Sequence, residues 1–139
     1  MPISAGIGRC GGRRMPEPAF DSEALARLRD LKEVDIETRL AGGDVHAATI
    51  WVVVDASDRV LVRSWRGSGA RWYREAVAAG EASLVFDGST HPVRVESATD
   101  PERIAACSER LLEKYGRGST ARSMVRDEIL DTTLELRPA

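Results

Sequence analysis

Between Arg59 and Arg74 the chain carries five arginines (Arg59, Arg63, Arg66, Arg71 and Arg74) and no acid. At the centre lies Arg63-Ser64-Trp65-Arg66-Gly67-Ser68-Gly69-Ala70-Arg71-Trp72. Its glycines leave backbone N–H groups uncovered, a helix start follows, and guanidinium groups stand on either side, which are the parts of an anion cradle. On this reading Arg63 and Arg71 clamp phosphate oxygens, while the hydroxyls of Ser64 and Ser68 and the amides around Gly67 complete the shell. A plain strand-to-helix junction with solvated arginines fits the composition about as well, and only the clustering favours the cradle. The spacing is neither that of a Walker A loop, which needs a Lys directly before its last Ser or Thr, nor that of the three-glycine dinucleotide turn.

Other reactive side chains give less. His46 and His91 have no Cys or carboxylate at a ligand spacing, so no metal site is expected. Cys107 falls on an apolar helix face and reads as a small buried hydrophobe, not a nucleophile. Ser119 lacks a nucleophile elbow and a placed His/Asp pair. The loop Gly116-Arg117-Gly118-Ser119, with Arg122 after it, reads as solvated, with a substrate mouth or a dimer contact as the competing role. No catalytic side chain is assigned.

The elements that must hold the cradle belong to a chain of 139 residues with 20 Lys+Arg against 22 Asp+Glu, a formal charge of −2. That length suits one domain with a real core. The five-arginine stretch, +5, is offset by −7 elsewhere. The balance argues against nucleic acid as the partner. The longest nearly apolar run, Ala47 to Val54, is far short of the ~20 residues of a membrane helix. With only Cys10 and Cys107 and no apolar leader at the start, a reducing cytoplasm is expected. Residues 1–19, rich in Gly and Pro, read as a disordered tail in which Met15 is an alternative start, and residues 20–139 as the single domain.

Asp21 or Ser22 caps a helix over 21–32 with Leu25, Leu28 and Leu31 on one face. Val34 to Leu40 alternates as a half-buried strand. The next strand, about Val45 to Val54, becomes apolar on both faces at Ile50-Trp51-Val52-Val53-Val54 and must be covered on both. A third runs from Arg59 to Trp65. Ala70 to Ala79 forms a helix closed by Gly80. Asp87-Gly88 joins strands at 82–86 and 91–96 as a hairpin. Asp100, Pro101 and Glu102 open a helix whose stripe is Ile104, Cys107, Leu111 and Tyr115, ended by Gly116. Residues 121–129 are ambiguous, and Thr132 to Leu136 is the last strand. The result is an α+β fold, mainly β: a six-stranded antiparallel barrel decorated by helices.

This order of elements, together with Trp51-Val52-Val53-Val54-Asp55, Val62-Arg63-Ser64-Trp65-Arg66-Gly67, Arg71-Trp72-Tyr73-Arg74 and Pro92-Val93-Arg94, resembles the FMN-binding split β-barrel superfamily. That superfamily includes pyridoxamine-phosphate oxidases and reductases dependent on the deazaflavin F420. The nearest resemblance is to a bacterial domain-of-unknown-function family within it, over roughly Val34 to Leu136. The resemblance implies a split barrel, and a flavin phosphate held by Arg63, Ser64, Gly67, Ser68 and Arg71. It implies an isoalloxazine lying along Thr49, Ile50 and Trp51, and a homodimer with the site at the subunit seam. Two departures stand out: Arg71-Trp72 where many relatives place a Lys, and a loop longer by Gly69-Ala70. The function so implied is an FMN- or F420-dependent oxidoreductase acting on a small aromatic or quinone-like molecule, since the cofactor would carry the redox chemistry. The alternative is a cofactor-free small-ligand-binding or dimeric interaction module on the same barrel.

Overall fold

The computed structural model describes residues 19–139. The expectations for the tail, Cys10 and Met15 lie outside the described residues, Ala19 excepted. Helix α1 (Ser22–Asp30) starts where the Asp21 carboxylate accepts the Ala24 N–H at 2.8 Å and ends two residues earlier than expected, because Leu31 turns extended. Strands β1 (Val34–Arg39) and β2 (Val45–Ile50) form the first hairpin. After a break come β3 (Val53–Val54) and β4 (Val60–Val62). The turn between β3 and β4 is built by Asp55, whose Oδ1 accepts the N–H groups of Ser57 and Arg59, both at 2.9 Å.

A 3-10 turn, Gly67–Gly69, leads into α2 (Arg71–Ala79), which Gly80 closes at φ 72°. Strands β5 (Glu81–Phe86) and β6 (Ser89–Ser97) meet at Asp87 and Gly88, with φ of 52° and 76°. Two successive positive φ values are what a tight two-residue hairpin requires. Helix α3 (Pro101–Tyr115) is capped by Asp100, which accepts the Arg103 N–H at 3.0 Å. The ambiguous stretch resolves into a short α4 (Ser119–Ser123) and a 3-10 segment, Asp127–Thr132. Strand β7 (Leu134–Pro138) therefore begins two residues later than expected.

The seven strands of the described residues form one antiparallel sheet in the order β2-β1-β5-β6-β7-β4-β3. Its two edge strands, β2 and β3, follow one another in the chain, so the sheet is curled and left open along one seam. This is the split-barrel architecture, with one strand more than expected because the strand over 45–54 divides at Trp51 and Val52. The barrel interior packs Val34, Ile36, Val52, Val54, Val60, Val62, Leu84, Leu134 and Leu136 under α1, which supplies Leu25 and Leu28. Alternate residues of β3 and β4 point the other way: Val53 and Leu61 pack outside the barrel with Cys107 and Leu111 of α3, Met124 and Ile129. The double cover accounts for the nearly continuous apolar run at 50–54.

Candidate functional site

The break between β2 and β3 is held by the end of α3. At Val52 the backbone has left the ladder, and its polar groups need other partners. Lys114 Nζ donates to Val52 O and to Leu28 O, both at 2.8 Å. The Tyr115 hydroxyl accepts the Val52 N–H at 3.3 Å and donates to Lys32 O at 2.6 Å. Burial pushes the Lys114 ammonium down to about 8 and the Tyr115 phenol up to about 12. The Tyr115 ring lies flat on Trp51, with centroids 3.8 Å apart and planes within 4°. Trp51 is thus packed on one face.

Beside Trp51 opens a cavity of about 640 Å³. One wall is β2 with Trp51; the other is the loop after β4 and the first turn of α2, through Trp65, Arg66, Ala70, Arg71, Trp72 and Glu75. Glu33, Thr120 and Met124 complete it. Helix α2 begins at this wall without a side-chain cap, since its N-cap is Ala70. Its first N–H groups and positive dipole end are therefore free to meet an anion. The Arg66 side chain is exposed and makes no hydrogen bond or ion pair among the described residues. Trp65 is 54% exposed, with its indole N–H donating to Ser123 Oγ at 2.8 Å.

A polar chain crosses from β1 through α2 to β2. Glu75 Oε1 accepts the Thr38 hydroxyl at 2.7 Å, and Oε2 takes His46 Nδ1 at 2.9 Å and Arg71 Nε at 3.3 Å. A second Arg71 nitrogen contacts His46 Nε2 at 2.9 Å. The hydrogen bond from Thr38 first, then those from His46 and Arg71, holds the Glu75 carboxyl below its usual range.

The structure divides the residues singled out from the sequence into two groups. Thr49, Ile50, Trp51 and Arg71 line the cavity; Thr49 Oγ1 also donates to Asp35 at 2.8 Å. Arg63 and Ser64 are placed differently from the expectation. Arg63 meets the cavity floor but is only 2% exposed, and its guanidinium donates to Thr133 Oγ1 at 2.9 Å, Ser108 Oγ at 2.8 Å, and the carbonyls of Met124 and Ile104, each at 3.0 Å. Desolvation lowers its pKa, and none of its acceptors is a carboxylate. Ser64 is fully buried; its N–H donates to Thr132 Oγ1 at 3.1 Å and its hydroxyl to Gly67 O at 2.7 Å. These two side chains are committed to joining the strand end to α3 and the 127–132 segment, which leaves little of them for a phosphate. Gly67 is buried with φ 70°, making the turn, and Ser68 is exposed on it outside the cavity lining.

Reasoning from the sequence named Arg66, Trp65 and Trp72 within the cradle segment without giving them a role, and assigned none to Glu75 and His46. The signal for the last two was present: Glu75 stands four residues after Arg71 on one helix face, and His46 alternates with Ala48 and Ile50 on the less exposed side of β2. Cys107 is fully buried and its thiol is pushed up to about 11 by burial, so it is inert as a nucleophile. His91 stacks on Phe86 with centroids 4.2 Å apart. Among the described residues no group of three or more His, Cys, Asp or Glu could hold a metal ion, and no helix is long and apolar enough to cross a membrane.

A cavity with one flat aromatic wall, two exposed guanidinium groups and an uncapped helix start fits a planar ring carrying a phosphate. Similar folds occur in solved structures. The heme storage protein HutZ of Vibrio cholerae is 12% identical, with 87% of this chain and 91% of that one covered at a TM-score of 0.62. A structure described as an F420 reductase is 17% identical, covering 90% and 96% at a TM-score of 0.53. An FMN-binding protein of Syntrophomonas wolfei is 16% identical, covering 86% and 84% at a TM-score of 0.55. At such identities the likeness is one of fold. No functionally curated protein is significantly similar to the chain in sequence. A family match covers residues 24–136, from α1 into β7, and the chain belongs to that family, described as "uncharacterized protein conserved in bacteria (DUF2255)".

Proposed function

We propose that the chain is an oxidoreductase that binds FMN or F420 in the cavity beside Trp51 and acts on a small aromatic or quinone-like substrate. The observation that carries this reading is the opposition, across about 640 Å³, of a flat wall formed by β2 and Trp51 to the cationic start of α2. Arg66, Arg71 and the first N–H groups of α2 would hold the phosphate, in place of the Arg63 and Ser64 expected from the sequence. Thr49, Ile50 and Trp51 would lie along the ring, with Trp51 kept in place by Tyr115. When bound, the cofactor supplies hydride transfer, so this chain's own residues need only bind, orient and exclude water. Under the same reading a second copy of the chain would cover the exposed Val45 and Trp65 at the cavity mouth and complete the site.

The test is the visible spectrum of the purified protein, then titration with FMN and with F420 by cofactor fluorescence. Binding weakened about tenfold or more in Arg71→Ala, with the fold intact, supports the reading. Absence of binding by either cofactor near millimolar concentration overturns it. A cofactor-free ligand-binding module then takes its place, a reading favoured by one observation: Arg63 and Ser64 are already committed within the protein.

A further inference from the structure

His46 and Arg71 occupy each other. An arginine guanidinium only donates hydrogen bonds, so the 2.9 Å contact makes His46 Nε2 the acceptor and places the ring proton on Nδ1, facing Glu75. While Arg71 sits there, Nε2 has no room for a proton. Yet Arg71 is the mobile partner: its side chain is 67% exposed, against 26% for His46 and 16% for Glu75. Thr38 and Glu75 hold the imidazole from behind whether or not Arg71 stays.

We propose that an anionic group entering the cavity, a phosphate, sulfate or carboxylate, draws Arg71 off His46, and that His46 then takes a proton from solvent at Nε2 and becomes a further cation of the anion site, beside Arg66 and Arg71. The balance is one anion and one proton bound. Glu75 stays ionised as the counter-charge to the imidazolium, as its lowered carboxyl allows. The other charged groups on the cavity wall are Glu33, Arg63, Arg66 and Arg71. Of these the arginines keep their charge at neutral pH. Anion capture and proton uptake are therefore one event, and the site is stronger on the acid side. The inference rests on the cavity taking an anion; it does not require that the anion belong to a flavin.

The experiment uses the full chain and two probes, inorganic sulfate and FMN. Sulfate has no titration near neutral pH, whereas the FMN phosphate has its second step near pH ~6. Nitrogen-15 spectra of the imidazoles give the protonation state of His46, with His91, the only other histidine, as internal control. Calorimetry in two buffers of different ionisation enthalpy counts the protons. The expected result is an Nδ1-protonated His46 in the free protein and both nitrogens protonated with sulfate bound. Sulfate affinity should tighten by up to about tenfold per pH unit lowered, as one linked proton demands. In His46→Gln the anion should still bind, with the pH dependence reduced below about twofold per unit. Binding of either probe with Nε2 left unprotonated, or with the same pH dependence in His46→Gln, overturns this inference and leaves the cofactor reading standing. Linked binding of sulfate without FMN or F420 binding supports it and defeats the cofactor reading. Failure of sulfate and FMN to bind overturns this inference, and failure of F420 as well overturns the cofactor reading.

Discussion

Arg63 and Arg71 are eight residues apart in the same acid-free stretch, and the fold uses them in opposite ways. Arg63, one residue past β4, points outside the barrel beneath α3, where four neutral acceptors surround it. Arg71 opens α2 and stays at the cavity wall, exchanging contacts with Glu75 and His46. A guanidinium enclosed by hydroxyls and carbonyls is a fastener, since removing it strands every acceptor. One that leans on a histidine and a carboxylate in water loses little by moving. The distinction lies in what the backbone direction puts around each residue, not in residue type.

The contrast is broken most directly by Arg63→Ala. Loss of its packing and four stranded acceptors should destabilise the domain by about 3–5 kcal/mol, read as a fall in the urea midpoint. A loss under ~1 kcal/mol would mean that Arg63 is no fastener. Next comes Tyr115→Phe, which removes the partner of Val52 N–H and Lys32 O and should cost about 1–3 kcal/mol, with faster hydrogen exchange at the Val52 amide. Gly67→Ala forces a side chain into φ 70° with Ile129 already 3.4 Å from the new Cβ, and should cost about 1–2 kcal/mol by thermal melting. Arg71→Ala should move stability by no more than ~0.5 kcal/mol while weakening anion binding about tenfold. Equal effects of Arg63→Ala and Arg71→Ala on folding would erase the comparison.

The seam also predicts a pH profile with two opposed limbs. The Lys114 ammonium falls from its ordinary 10.5 to about 8 in the fold, so the unfolded chain holds more protons in that window and stability rises as pH goes from about 8 to 10.5. The Tyr115 phenol moves from 10.0 up to about 12, so the folded chain holds more protons there and stability falls between those values. Denaturant midpoints across pH 8 to 12 should show the rising limb vanish in Lys114→Met and the falling limb weaken in Tyr115→Phe.

Most of the scaffold was legible because its signals are local. Alternation at 34–39, the Asp-Gly turn at 87–88, and Asp100-Pro101 opening a helix each act within a few residues. The division of the strand at Trp51 and Val52 was not, because its cause is 63 positions away: an apolar run looks the same whether its amides pair with a strand or with Tyr115 and Lys114. The burial of Arg63 was not legible for a related reason. Arginine is read as exposed by default, and the acceptors that let it sit inside come from residues 104, 108, 124 and 133. The cavity wall at Thr49 to Trp51 was reached through family resemblance, whereas the His46–Glu75 contact depends on how α2 lies across β1 and β2.

The strand order has one more consequence, for assembly in time. Among the described residues β7 is the last strand in sequence, yet it sits between β6 and β4 and is the sole hydrogen-bonded link between the β2-β1-β5-β6 part of the sheet and the β4-β3 pair. A chain emerging from the ribosome N-terminus first has both parts before it has the strand that joins them. Until residues 134–138 arrive, the two parts are joined by the chain crossings at residues 51–52 and 63–80 and by side-chain packing in the barrel interior, and the hydrogen-bonded ladder between them cannot close.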